Sequence, residues 1–143
     1  MRYSLFVLSI IFLGLSCKKP SKAESEKPEL VMAETSEMAK LMREMYAYNE
    51  SIKQQVINGE IFASYPSSFD KILTATLTDS TDRDSLFEID SKLFLNAERL
   101  IFEGADEDIV THYNNAVNAC ISCHNVTCTG PIPRIKKLLI IKE

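Results

Sequence analysis

The chain has 143 residues, enough for one domain with its own core and too few for two of ordinary size. It is 45% hydrophobic and 25% charged, with only 4 Gly and 5 Pro, a scarcity of helix breakers that favours an all-α fold. The formal charge is −4, and without residues 1–16, whose single charge is Arg2, 15 basic face 20 acidic residues, a balance that argues against a nucleic-acid partner.

Arg2 precedes the apolar run Leu5 to Leu13, and small residues Gly14 and Ser16 lead to Cys17. A positive start, a short apolar stretch and a small-residue processing site make an export leader over 1–16. The stretch is too short to cross a bilayer, which takes roughly twenty residues of helix. Leu13-Gly14-Leu15-Ser16-Cys17 resembles a lipoprotein signal, although Gly14 stands where the strictest form has Leu. The resemblance implies a lipid on Cys17 and a place on the periplasmic side of a membrane, and Lys18, which gives no inner-membrane retention signal, favours the outer one. Residues 17–29 are polar with two prolines and read as a flexible tether; 30–143 are left for the folded domain.

Four amphipathic helices are predicted there. From Glu29 to about Asn58, Met38, Leu41, Met42, Met45, Ile52 and Val56 recur at steps of three and four, and Gly59 is the stop. Pro66 to Leu77 forms a shorter second helix with Phe69, Ile72, Leu73 and Thr76 on one face. Residues 78–82 are a loop. The third helix starts at a capping box, Ser85 with Glu88, carries the stripe Leu86, Ile89, Leu93, Ala97 and Leu100, and ends at Gly104. The fourth begins near Asp106, with Glu107 and Asp108 suiting its N-terminus, and runs through Ile109, Tyr113, Ala116 and Cys120. Gly130, Pro131 and Pro133 close it off and leave a basic, apolar tail from Arg134. Four such helices with short links argue for an antiparallel four-helix bundle.

The last helix carries Cys120-Ile121-Ser122-Cys123-His124. Thiols three apart project to one side of a helical turn, where they can add to the two vinyl groups of a haem, and the same turn brings the next His under the iron; C-x-x-C-H is the signature of c-type haem attachment. An export leader places the chain where that attachment happens. The four cysteines then divide into one lipidated (Cys17), two thioether-bound and one left over, Cys128, which is a free thiol or joins two chains. Two rival readings are a disulfide or thiol redox pair at Cys120 and Cys123, and a zinc site with His124 and Cys128. No βαβ pattern surrounds the thiols, and adjacent Cys123 and His124 would strain to face one zinc ion.

C-x-x-C-H in the last helix of a bundle, with methionines on the first, resembles the class II c-type cytochromes, the cytochrome c-prime group, over about residues 30–127. The resemblance implies that the first helix crosses the distal haem face and supplies either a Met ligand or an apolar residue that leaves iron five-coordinate. Met38, Met42 and Met45 share one face; Met42 is the first choice of ligand and Met45 the second, against the plain alternative that methionines at helical spacing fill core. Arg43 is similar to an Arg near this place in the family and is a candidate partner for a haem propionate. His112, twelve residues before His124, is too far along its helix to reach the opposite haem face and reads as a surface residue. The segment from Cys128 onward has no counterpart in the family. Arg134, Lys136 and Lys137 suit a propionate or a partner's acidic surface, and Leu138 to Ile141 suit the haem edge.

These readings point to a monohaem electron carrier with a redox-partner protein and no catalytic residues, rather than an enzyme. The alternative is a five-coordinate protein that binds nitric oxide or carbon monoxide. Family analogy also allows a homodimer through the first two helices.

Overall fold

A computed structural model describes residues 34–59, 63–103 and 109–141, all within the compact unit Ala33–Glu143. The leader, Cys17, the tether, Gly104 and the acidic start at Asp106, Glu107 and Asp108 lie outside the described residues. The described chain is all-α: α1 (Glu37–Ile57), α2 (Ser85–Glu103), α3 (Ile109–Val126) and the single turn α4 (Ile132–Ile135), with 3₁₀ segments between α1 and α2 and after α4. None of these helices is long and apolar enough to cross a membrane.

α1 begins at Glu37 rather than Glu29. Ser36 caps it by accepting from the Ala39 amide at 3.1 Å. Met38, Leu41, Met45, Ile52 and Val56 are buried as their spacing predicts, Met42 is half-buried, and Gly59 follows the helix at φ +72, where its missing Cβ is needed.

Among the described residues three long helices are present, not four. The predicted second helix is a seven-residue 3₁₀ segment, Ser67–Leu73, which buries Phe69 and Ile72 but leaves Leu73 and Thr76 exposed. Its continuation is diverted to cap α1. The Thr76 carbonyl accepts from the Met38 amide at 3.0 Å, and Glu37 accepts from both the amide and hydroxyl of Thr76 at 2.9 Å. Those bonds satisfy a free amide of α1's first turn and leave Thr76 no helical continuation.

α2 departs from expectation in rotation and in its cap. The carboxylate of Asp84, one residue before Ser85, accepts from the Phe87 amide at 2.8 Å, so the cap is an acid that also complements the helix dipole. The predicted stripe Leu86, Ile89, Leu93 and Leu100 faces solvent, and Ala97 is half-buried. The buried face is Phe87, Ser91, Phe94, Leu95, Glu98 and Ile101. Two apolar faces compete on this helix, and the one carrying the phenylalanines removes more area from water.

α3 buries Tyr113, Ala116, Val117 and Cys123, and packs along α2. The core falls into two clusters. One gathers Met38, Leu41, Met45, Phe69, Phe87 and Phe94; the other gathers Ile52, Val56, Tyr113, Val117, Ile135 and Leu138. The tail is therefore part of the fold. Pro131 starts α4, Lys136–Leu138 make a further 3₁₀ turn, and Ile135 and Leu138 are buried. Lys53 of α1 donates to the carbonyls of Lys137 (2.8 Å) and Leu139 (3.0 Å). Asn114 of α3 pairs with both main-chain groups of Ile140, at 2.8 and 2.9 Å.

Candidate functional site

The C-x-x-C-H segment occupies the last turns of α3, which ends at Val126. Two carbonyls near its end are used at once: Thr127 and Cys128 donate their amides to Cys123 and His124. The chain then turns back through Gly130 and Pro131 into α4, and this strap faces the start of α1 across a cavity of about 560 Å³. That volume lies in the range of cofactor pockets.

The cavity brings together residues far apart in sequence. α1 contributes Met38, Met42, Arg43 and Tyr46; α3 contributes Cys123 and His124; the strap contributes Cys128, Arg134, Ile135 and Leu138. Leu77 and Phe87 complete an apolar side. Met38, Met42 and Tyr46 fall four residues apart, one stripe of α1 turned to the cavity. Among the three methionines Met45 is buried in the first core cluster and is not on the wall. Its step of three from Met42 rotates it away, so Met38 and Met42 are the thioethers within the site.

His124 is oriented by main chain. Its Nδ1 lies 2.8 Å from the Cys128 carbonyl, and because a carbonyl only accepts, Nδ1 carries the hydrogen. In the neutral ring Nε2 is then the nitrogen that keeps its lone pair and can bind a metal.

Arg43 is exposed and lies on the cavity wall. Arg134 stands on the same wall, with its guanidinium stacked 4.0 Å over the Tyr46 ring. The site thus offers two cations, Arg134 held over its ring and Arg43 exposed, with the acid Asp82 on the same wall. Lys136 and Lys137 are exposed and are not on the wall; of Leu138 to Ile141, only Leu138 is, while Leu139 and Ile140 pack on the second cluster and Ile141 is exposed.

Cys120 sits one turn before Cys123 and packs against both core clusters instead of lining the cavity. Burial first, then the nearby Glu98, pushes its thiol well above the ordinary range. Burial and Asp90 raise that of Cys123 too. Redox-active thiols need the opposite shift, toward thiolate at neutral pH, so the thiol-redox reading lacks its chemistry here. Cys120, Cys123 and Cys128 are all free thiols. Among the described residues no three His, Cys, Asp or Glu side chains converge on a common metal position, which leaves the zinc reading without a ligand set. His112 is half-buried on α3 and is not part of the cavity wall.

No protein-family model, curated protein or solved structure matches this chain.

Two features of the site were not read from sequence. Tyr46 could have been found, since it continues the Met38–Met42 spacing. The Cys128 carbonyl could not, because its place depends on how the strap leaves α3.

Proposed function

We propose that this chain is a monohaem c-type cytochrome that serves as a lipid-anchored electron carrier on the periplasmic side of a membrane, on a four-helix-bundle plan with the 3₁₀ segment standing for the second helix. The observation that carries the reading is one cavity shared by His124, with Nε2 available, and the thioethers of Met38 and Met42. Cys123 on the wall, and Cys120 once its side chain turns out of the core clusters toward the cavity, would hold the haem as thioethers, and His124 and Met42 would be its axial ligands, with Met38 next in line. Arg43 and Arg134 are placed on the wall to hold carboxylates such as the propionates. Bound haem supplies a one-electron couple at iron, whose potential Met/His ligation raises.

The residues' own part is to position and to exclude. Cys128 fixes the tautomer and plane of the His124 ring. Phe87, Leu77, Ile135 and Leu138 keep the interior apolar, and Arg134 is immobilised on Tyr46. The anchor at Cys17 would keep the carrier beside a membrane-bound or periplasmic redox partner.

The test is to express the chain with the c-type maturation machinery, denature it and record its spectrum. A haem spectrum that stays with the polypeptide, and is lost in the Cys120→Ala, Cys123→Ala double variant, is the expected result. Absence of a covalent chromophore overturns the proposal. Met42→Ala is expected to abolish the Met-to-iron band and open the site to carbon monoxide; carbon monoxide binding at once to the unaltered protein would favour the gas-binding form instead.

A further inference from the structure

Glu98 is the most deeply buried acid of the described chain, at 0% exposure in the middle of α2. A carboxylate there is costly unless paired with a cation, and among the described residues none forms an ion pair with it. Its neighbour in sequence, Arg99, is turned to Asp70 and the Tyr65 ring. Glu98 instead meets Asn49 of α1, whose Nδ2 donates to its Oε1 at 3.0 Å. The other hydrogen of Nδ2 goes to the Met45 carbonyl at 3.2 Å, which fixes the way the amide faces. Two buried oxygens of this pair then lack a partner: Asn49 Oδ1 and Glu98 Oε2. Both are acceptors while Glu98 is ionised. A proton on Glu98 turns Oε2 from an acceptor into a donor, the kind of group that this pair of unpartnered oxygens lacks.

The groups near Glu98 are Tyr48 from α1, Tyr65 from the segment before the 3₁₀ turn, and Tyr113 and Cys120 from α3; burial raises each of them first, and the charge of Glu98 adds to it. All four are neutral hydroxyls or thiols that titrate in the alkaline range. Burial lifts Glu98 itself to about 7, so across the neutral range it is the member of this group that changes charge. Cys120, which feels that charge, is one of the two proposed haem attachments. Glu98 is not on the cavity wall, so its influence there is by field and not by ligation.

We propose that the Asn49–Glu98 pair is a proton-binding site coupled to reduction, making the protein a carrier of one electron together with a proton. The inference rests on the haem reading above. A bound haem would supply the one-electron couple, charged by a one-electron donor protein; Glu98 would take one proton from solvent water on reduction and return it on oxidation. Reduction removes one positive charge near Cys120, which makes the carboxylate less favourable and draws the proton in.

The experiment is a spectroelectrochemical titration of the haem-loaded chain from pH 5 to 9, beside Glu98→Gln. Glutamine keeps an acceptor for Asn49 Nδ2 and puts a donor in place of Oε2, but it binds no proton. The midpoint potential of the native chain should fall as pH rises through the window around 7, by up to 59 mV for each tenfold drop in proton activity, and that of Glu98→Gln should stay level. A reduced-minus-oxidised infrared spectrum of the native chain at pH 7, which needs no variant to fold, should show a gained protonated-carboxyl band. A level native potential without that band, or a slope that persists in Glu98→Gln, overturns the coupling and leaves the cytochrome reading intact. Failure to attach haem overturns both.

Discussion

A buried carboxyl held near 7 makes stability depend on pH in the sense opposite to most acids. Unfolded, Glu98 loses its proton above about 4.5; folded, it keeps the proton to about 7. The contribution to stability is therefore complete below 4.5, declines as pH rises to 7, and amounts to about 3 kcal/mol over that span. Glu37 and Asp79 work the other way: hydrogen bonds from Thr76 and Thr81 lower them, so what they contribute is lost on acidification, but both are fully exposed. Urea unfolding at pH 4 and pH 8 should show Glu98→Gln gaining about 3 kcal/mol on the native chain at the higher pH; an unchanged difference would mean that Glu98 is solvated. Residues differ sharply in how far sequence exposes them. Sequence spacing puts Cys123 and His124 on one turn, and both reach the cavity; that Cys120, one turn earlier, packs into the core instead was not legible. Nor was Glu98, since a glutamate in a helix is ordinarily solvated and its partner lies 49 residues away.

α2 sets the limit on what periodicity can say about a helix. Leu86, Ile89, Leu93 and Leu100 make a regular stripe, yet they are the exposed side. The helix carries two apolar faces at helical spacing, and only the shape of its neighbours decides between them. Adjacent residues test the rotation: Phe94→Ala, which empties a site beside Phe69, should cost about 3–5 kcal/mol, whereas Leu93→Ala, at 57% exposure, should stay within about 0.5 kcal/mol. Equal costs in thermal unfolding would contradict the rotation. The helices whose buried face sequence does identify, α1 and α3, have one dominant apolar face each. The missing second helix fails for a tertiary reason, the demand of α1's first turn for partners, which Thr76 and Glu37 meet together.

At the scale of the molecule, the strap joins the two ends of the domain and forms one wall of the cavity. Its fastening is concentrated in two side chains, Lys53 and Asn114. Asn114→Ala removes both bonds to Ile140 and is expected to cost about 1–3 kcal/mol. Amide exchange at Ile140 should accelerate far more than exchange in the middle of α2, since the strap can open locally; uniform acceleration would mean that the strap and helices unfold as one unit. Sequence indicated where this segment starts, through Gly130 and Pro131, but not that it folds back, because its anchors belong to α1 and α3. Both fasteners grip the main chain of the strap, at Lys137, Leu139 and Ile140, and read none of its side chains. The strap's outward residues are thereby released from the duty of holding it down. Lys136 and Lys137 can be exchanged, even for acids, without loosening the wall, so the charge of this outer face can diverge between descendants while the architecture beneath stays the same.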